Sequence, residues 1–277
     1  MSPVESDEED LTRKQRREQA RDQRRALEEA EAASAARRTR LTQLASVVVV
    51  VVVAIVVILV ATGGGSSAKK VAPGSKAAGE TEKVVTALVA GIPQSGNTLG
   101  NPTAPVTMQY FGDLECPICK DFTLGALPTV IKKFVRTGKL RIEYRSLETA
   151  TGPEREVFRS QQVAALAAGK QDKGWNFIET FYHEQGEEKT GYVTESYLQG
   201  IAKQIPGLNL GTWTADRNDT TLVKQIEADG EAAANAGFNG TPSFLIGKSG
   251  GAMTKYEYSS LTDPTGFNEA IEKLLKA

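Results

Sequence analysis

Histidine and cysteine are nearly absent from this sequence. Its 277 residues contain one histidine, His183, and two cysteines, Cys116 and Cys119. Three such side chains cannot supply the four Cys or His ligands of an ordinary structural zinc site. A charge excess is also missing. The 33 basic and 34 acidic residues leave a net charge of −1, so no overall basic field points to a nucleic acid. There is no internal repeat. Core-forming residues are scarce in residues 1–40, whereas polar residues are entirely missing from VVVVVVVAIVVILVA, residues 47–61.

That uneven distribution divides the chain. Residues 1–40 mix Glu, Asp, Arg and Lys with Ala and Gln and read as a charged, solvated tail. From Leu41 to Ala61 the chain is apolar apart from Thr42, Gln43 and Ser46. At a rise of ~1.5 Å per residue this segment reaches ~30 Å, the thickness of a bilayer core. Its unbroken apolar run leaves no polar face to turn toward water, which disfavours a buried helix of a soluble domain. A cleaved signal peptide is the stronger rival. The long segment before the run and the lack of an A-x-A site after Val60 speak for a retained signal-anchor, a single transmembrane helix. Arg21, Arg24, Arg25, Arg37, Arg38 and Arg40 precede the span, against Lys69, Lys70 and Lys76 after it. The positive-inside rule then keeps the N-terminus cytoplasmic and puts the rest outside, at the cell membrane.

Residues 62–93, beginning GGGSSAKKVAPGSKAAGE, read as a flexible tether. A folded domain is predicted over 94–277. Strands are expected at residues 106–111 and 140–144, and again in PSFLIG and KYEY. One helix is expected over 117–136, bent at Gly125 and Pro128. A helical region spans about 155–236, and FNEAIEKLLKA closes the chain with a helix. Trp175, Phe177 and Phe181 fall at near-helical spacing and are expected in the core of the helical region. His183 lies on the same predicted helix and reads as a surface residue rather than a ligand.

The two cysteines stand in DLECPICKDF, residues 113–122. With Cys116 at a helix start, Cys119 lies one turn along the same face, and the Cα atoms are about 5 to 6 Å apart, within disulfide range. Pro117 suits the first turn, where a missing N–H is no loss. Free N–H groups and the helix dipole there favour a thiolate on Cys116. A fixed structural disulfide would close too short a loop to remove much chain entropy. A chance pair of free thiols would be exposed to oxidation outside the cytoplasm. The pattern therefore reads as a redox pair. A second signal is GFNGTPSFLIG, residues 237–247, where Thr241–Pro242 suits either a cis peptide or an ordinary turn before an edge strand.

At these residues the chain resembles the DsbA-like thiol–disulfide oxidoreductases of the thioredoxin superfamily, in particular their membrane-anchored bacterial members. The likeness covers roughly residues 95–275. It rests on the order APVTMQYFGDLECPIC, ALPTVIKKFV, LRIEY, a helical insertion, GTPSFLIG and a terminal helix. The stretch AALAAGKQDKGWNFIETFYHEQ looks like the family's AAxAAGxQGKFWEFHDxLFxxQ pattern. The resemblance implies an α/β thioredoxin fold with an inserted helical subdomain. It makes Cys116 the exposed attacking thiol and Cys119 the resolving one. It makes Pro242 cis and packed on the pair, and it lets the Thr241 backbone pair with an extended substrate peptide.

Two departures stand out. Ile118 replaces the histidine found between the cysteines of the family's strongest oxidases, so Cys116 should be less acidic. The disulfide should fall between about −120 mV for DsbA and −270 mV for thioredoxin. Tyr110 stands where many thioredoxin-like proteins carry a buried carboxylate as a proton shuttle. Asp113 is a candidate proton relay instead. Asp113 and Glu115 are expected in the turn facing water, where their charge would raise the Cys116 pKa.

The reading that results is an extracytoplasmic thiol–disulfide oxidoreductase that needs no cofactor and donates disulfides to exported proteins with free thiols. By family inference a membrane quinone reductase of the DsbB or vitamin-K-epoxide-reductase type would reoxidise it. The same chemistry run as a reductase, for example in cytochrome c maturation, is the nearest alternative. A copper- or peptide-binding protein without enzymatic activity is a further one.

Overall fold

The computed structural model describes residues 76–151 and 155–277. The charged tail, the expected membrane span and the first part of the expected tether, residues 62–75, lie outside the described residues. Among those described, no helix is long and apolar enough to cross a membrane.

A six-stranded mixed sheet organises the domain, in the order β1-β2-β4-β3-β5-β6. β3 (Val106–Gly112) is central and pairs parallel with β4 (Leu140–Ser146) and antiparallel with β5 (Ser243–Lys248). Its residues are buried on both faces, which suits the run VTMQYFG. β4 alternates: Leu140, Ile142, Tyr144 and Ser146 are buried, while Arg141, Glu143 and Arg145 are half-exposed. β6 (Thr254–Tyr256) pairs with β5 at one edge. A small hairpin, β1 (Gln94–Ser95) and β2 (Thr98–Leu99), joins the other edge through β4.

The expected tether ends earlier than its composition suggested. Residues Lys76–Val89 form a helix, α1. Ala78, Val85 and Val89 recur on one face and are at most 5% exposed. That stripe buries apolar area that a free tether would leave in water. Arg136 completes the helix end, donating to the carbonyls of Ala90 (2.7 Å), Leu88 (2.7 Å) and Ala87 (3.1 Å).

The single bent helix expected over 117–136 is broken outright. α2 (Pro117–Leu124) stops at Gly125, and α3 (Leu127–Val130) runs into a π-helical turn, Ile131–Val135. A Cβ at Gly125 would lie 2.8 Å from the Thr262 Cα and 2.5 Å from the Asp121 carbonyl oxygen. Only glycine lets the 261–262 segment approach, and Ala126 N–H then donates to the Leu261 carbonyl at 3.0 Å. Pro128 bends nothing, because it falls in the first turn of α3, where its missing N–H is no loss.

Five helices stand between β4 and β5: α4 (Arg155–Gly169), α5 (Gly174–His183), α6 (Glu195–Lys203), α7 (Leu210–Asp216) and α8 (Thr220–Asn235). Trp175, Phe177 and Phe181 are each fully buried. His183 is half-buried at the end of α5 rather than on the surface. The last helix, α9 (Thr265–Lys276), returns to the sheet. Phe122 of α2 packs against Phe244 (4.8 Å between ring centroids), Phe267 (5.0 Å) and Tyr110 (5.1 Å). This aromatic cluster seats the cysteine-bearing helix on the end of the central strand.

Candidate active site

The site begins where β3 runs out. Gly112 ends the strand, and Asp113, Leu114 and Glu115 make the turn into α2. Cys116 N–H donates to the Asp113 carbonyl at 3.0 Å. Cys116 is the N-cap of α2, with φ −70° and ψ 118°, and Pro117 takes the first turn. The cap acceptor is the Cys116 sulfur itself, which receives the Cys119 N–H at 3.4 Å. Gln185 Nε2 holds the turn from α5's side, donating to the carbonyls of Leu114 (2.6 Å) and Cys116 (3.0 Å). Gln185 is the glutamine that ends AALAAGKQDKGWNFIETFYHEQ, to which sequence reading assigned no role.

Both cysteines are free thiols. Cys116, expected to be exposed, keeps 5% of its surface, and Cys119 keeps none. The reason is the segment that crosses in front of them. The Thr241–Pro242 peptide is cis, Pro242 is buried, and the Cys116 sulfur lies 3.4 Å from the Thr241 carbonyl oxygen. Pro117 and Ile118 are exposed beside the sulfur, Ile118 at 45%. Tyr258 is 37% exposed, and its pKa is raised, first by burial and then by its electrostatic interaction with the cysteine pair. It had been read only as part of a strand, and β6 ends two residues earlier.

The two thiols are driven apart. Cys116 is lowered to about 6, first by the hydrogen bond from the Cys119 thiol, against a contrary push from burial. The Thr241 side chain and the N–H groups of Cys119 and Ile118 add to the lowering. Cys119 is raised well above the ordinary thiol value, first by burial and then by its hydrogen bond to Cys116 and the charge there. One sulfur is therefore a thiolate at neutral pH and the other a thiol that donates to it.

Asp113 and Glu115 do not face water. They are 0% and 3% exposed. One Asp113 carboxylate oxygen receives the N–H groups of Thr149 (3.0 Å), Ala150 (2.8 Å) and Thr151 (3.3 Å). The other receives Glu115 N–H (3.1 Å), the Thr151 hydroxyl (3.0 Å) and Gln161 Nε2 (3.4 Å). A carboxylate can be buried where donors replace its water in this way. Neither acid stands among the leading influences on Cys116, so the expected upward pull gives way to local hydrogen bonds.

Tyr110 occupies the position where a buried carboxylate was considered. Its hydroxyl lies 3.4 Å from the Cys119 carbonyl oxygen and 3.2 Å from the Tyr182 hydroxyl, which in turn donates to the Asp113 carbonyl at 3.0 Å. Burial raises the pKa of both phenols, so the floor under Cys119 is uncharged. His183 takes no part: its imidazole is kept below the ordinary value by burial and by the Lys120 ammonium.

A dithiol with one sulfur ionised and its partner protonated can exchange with disulfides. Comparison with known proteins points the same way. A family model described as thioredoxin matches residues 94–264. The disulfide bond formation protein D of Bacillus subtilis is 26% identical over 185 residues, covering 64% of this chain and 76% of that protein. Among solved structures, oxidised BdbD from Bacillus subtilis superposes with a TM-score of 0.56 at 25% identity, over 68% of this chain and 98% of that one. The α-DsbA1 protein of Wolbachia pipientis shares the fold, with a TM-score of 0.53 at 21% identity over 65% of this chain and 90% of its own.

Proposed function

The chain belongs to the thioredoxin family, and from that membership we propose that this thiol–disulfide oxidoreductase of the DsbA type works as a donor of disulfides to exported proteins. In the oxidised enzyme a substrate thiolate attacks the Cys116 sulfur. The Cys116–Cys119 bond breaks, a substrate–Cys116 disulfide forms, and Cys119 leaves and takes up a proton. A second substrate thiolate then attacks the substrate sulfur of the mixed disulfide and expels Cys116 as a thiolate. The substrate has lost two electrons and the enzyme holds them as a dithiol.

One observation carries the direction. Cys116 in the dithiol form is lowered to about 6. Whatever stabilises that thiolate stabilises the reduced enzyme and makes its disulfide more oxidising. Equilibration with glutathione is expected to return a potential between about −120 and −270 mV. A value at or below the thioredoxin end would assign the protein to reduction instead.

Exported clients also require the domain to stand outside the cytoplasm. The apolar run 47–61 and the arginines before it support a retained single-pass anchor with a cytoplasmic tail. Reoxidation by a membrane quinone reductase would then take place beside the bilayer. Protease added to intact spheroplasts is expected to digest the chain beyond residue 62. Cleavage confined to the N-terminal tail would invert this topology.

A further inference from the structure

Away from the thiol pair, α1, the π-helical turn and α5 line a groove of about 700 Å³, and neither cysteine nor the Thr241–Pro242 pair belongs to it. Its walls are apolar: α1 contributes Val84, Ala87 and Leu88, and the π-helical turn contributes Ile131. One acid stands among them, Glu179 of α5, which is 1% exposed. Its Oε1 has no hydrogen-bond partner among the described residues. Other buried acids of the domain are provided for. Asp113 gathers N–H groups and a hydroxyl, and Asp229 receives Arg145 Nη1 at 2.9 Å and the Ser146 N–H at 3.0 Å. The charged and titratable neighbours of Glu179 in the groove do not offset it. Arg136 is engaged by the carbonyls that end α1, Lys132 is exposed, and His183 is held below its ordinary value by burial and by Lys120. Burial alone acts on the Glu179 carboxyl and pushes it up to about 8.

We propose that this groove binds a small apolar amine, whose ammonium group meets the Glu179 carboxylate while its hydrocarbon body lies against Val84, Leu88 and Ile131. A carboxylate buried without donors is costly in its charged form. An ammonium supplies three donors and the opposite charge together, whereas a neutral molecule supplies no charge and an anion would meet a like one. The volume and the single polar group among apolar walls fit a small-ligand site. A lysine of a partner protein carries the same cation, but its slender stem would leave most of the apolar wall without contacts. This assignment lies outside thiol exchange and stands or falls independently of it.

Phenethylamine is a suitable probe. The full chain in lipid nanodiscs is dialysed to equilibrium against the labelled amine, with protein-free nanodiscs as the blank. Saturable uptake by the protein is expected at pH 7.5. Glu179 must give up its proton to receive the ammonium, so affinity should rise roughly five- to tenfold from pH 6.5 to pH 7.5. Phenylethyl alcohol, with the same body and no charge, should bind about tenfold or more weakly and without that pH dependence. Glu179→Gln should cost the amine about tenfold or more in affinity and flatten its pH profile. Ala87→Trp fills the groove from an exposed position of α1 and should abolish uptake. Both variants should keep the wild-type melting profile and thiol exchange. Nα-acetyllysine amide, standing in for a protein lysine, should bind more weakly than phenethylamine. Wild-type protein without saturable uptake would overturn the proposal. So would equal binding of the alcohol, a Glu179→Gln variant that binds like wild type, or tighter binding of the lysine derivative.

Discussion

Cys119→Ser is expected to halt the enzyme at the mixed disulfide. Cys116 reacts with a substrate disulfide or, once oxidised in trans, with a substrate thiol, and with Cys119 gone the enzyme has no sulfur of its own to displace the partner, so the conjugate lasts until a second substrate thiol releases it. Conjugates sensitive to reductant should accumulate on a non-reducing gel, and Cys116→Ala should form none. Loss of the Cys116 sulfur should reduce oxidation of a dithiol peptide by on the order of 10³-fold or more, since without it the site can hold no disulfide for a substrate thiolate to attack. Serine is the right replacement at 119 because its hydroxyl can still donate to Cys116. The hydrogen bond from the 119 side chain is the leading influence that lowers Cys116 to about 6. Cys119→Ala removes that donor and should make Cys116 less acidic and slower to conjugate at neutral pH. If Cys116→Ala trapped as many conjugates as Cys119→Ser, the assignment of the attacking sulfur would fall.

The reduced protein should gain stability over the oxidised protein as pH rises from about 6 to about 8.5. Cys116 has its folded pKa lowered to about 6, below the ~8.5 of an unfolded thiol. Between those values the unfolded chain binds a proton that the native chain has released, so stability climbs with pH. The gain is fully present above the unfolded value and is lost as pH falls through the folded one. With allowance for partial solvent screening it amounts to about 1–3 kcal/mol. Cys119 has the opposite sign: its folded pKa is raised, so its contribution declines as pH passes above the unfolded value. The difference in melting temperature between the two redox forms should therefore peak near pH 8 to 9 (roughly the unfolded thiol pKa). Other titrating groups largely cancel in that difference. Glu179, whose carboxyl burial pushes up to about 8, is present in both forms. A redox difference that stayed flat from pH 5 to pH 9 would contradict the thiolate assignment.

The places where sequence reading and structure part company share a cause. α1 hides in a stretch whose glycine, alanine and lysine content reads as tether, and its signal is an apolar stripe of three residues, Ala78, Val85 and Val89. That stripe becomes a helix face only when a surface exists to receive it. The break at Gly125 depends on a segment that arrives from residues 261–262, more than a hundred residues later. Gln185 appeared in the sequence as one letter of a pattern, while its two bonds to the active-site turn exist only across 69 and 71 residues of chain.

Local chemistry was legible from letters alone. A proline after Cys116, a cysteine one turn on, and alternating or continuous apolar runs on either side determine a helix start, a thiol pair on one face, and strands that carry them. These are short-range consequences of backbone sterics, helix period and burial. Which acid is buried, and for what, was decided elsewhere. Asp113 looks like any solvent-facing turn aspartate until the loop at 149–151 presents its N–H groups and Thr149 meets Thr241, 92 residues away. A carboxylate leaves water only where folding assembles enough donors to replace it, and those donors come from parts of the chain that no local pattern connects.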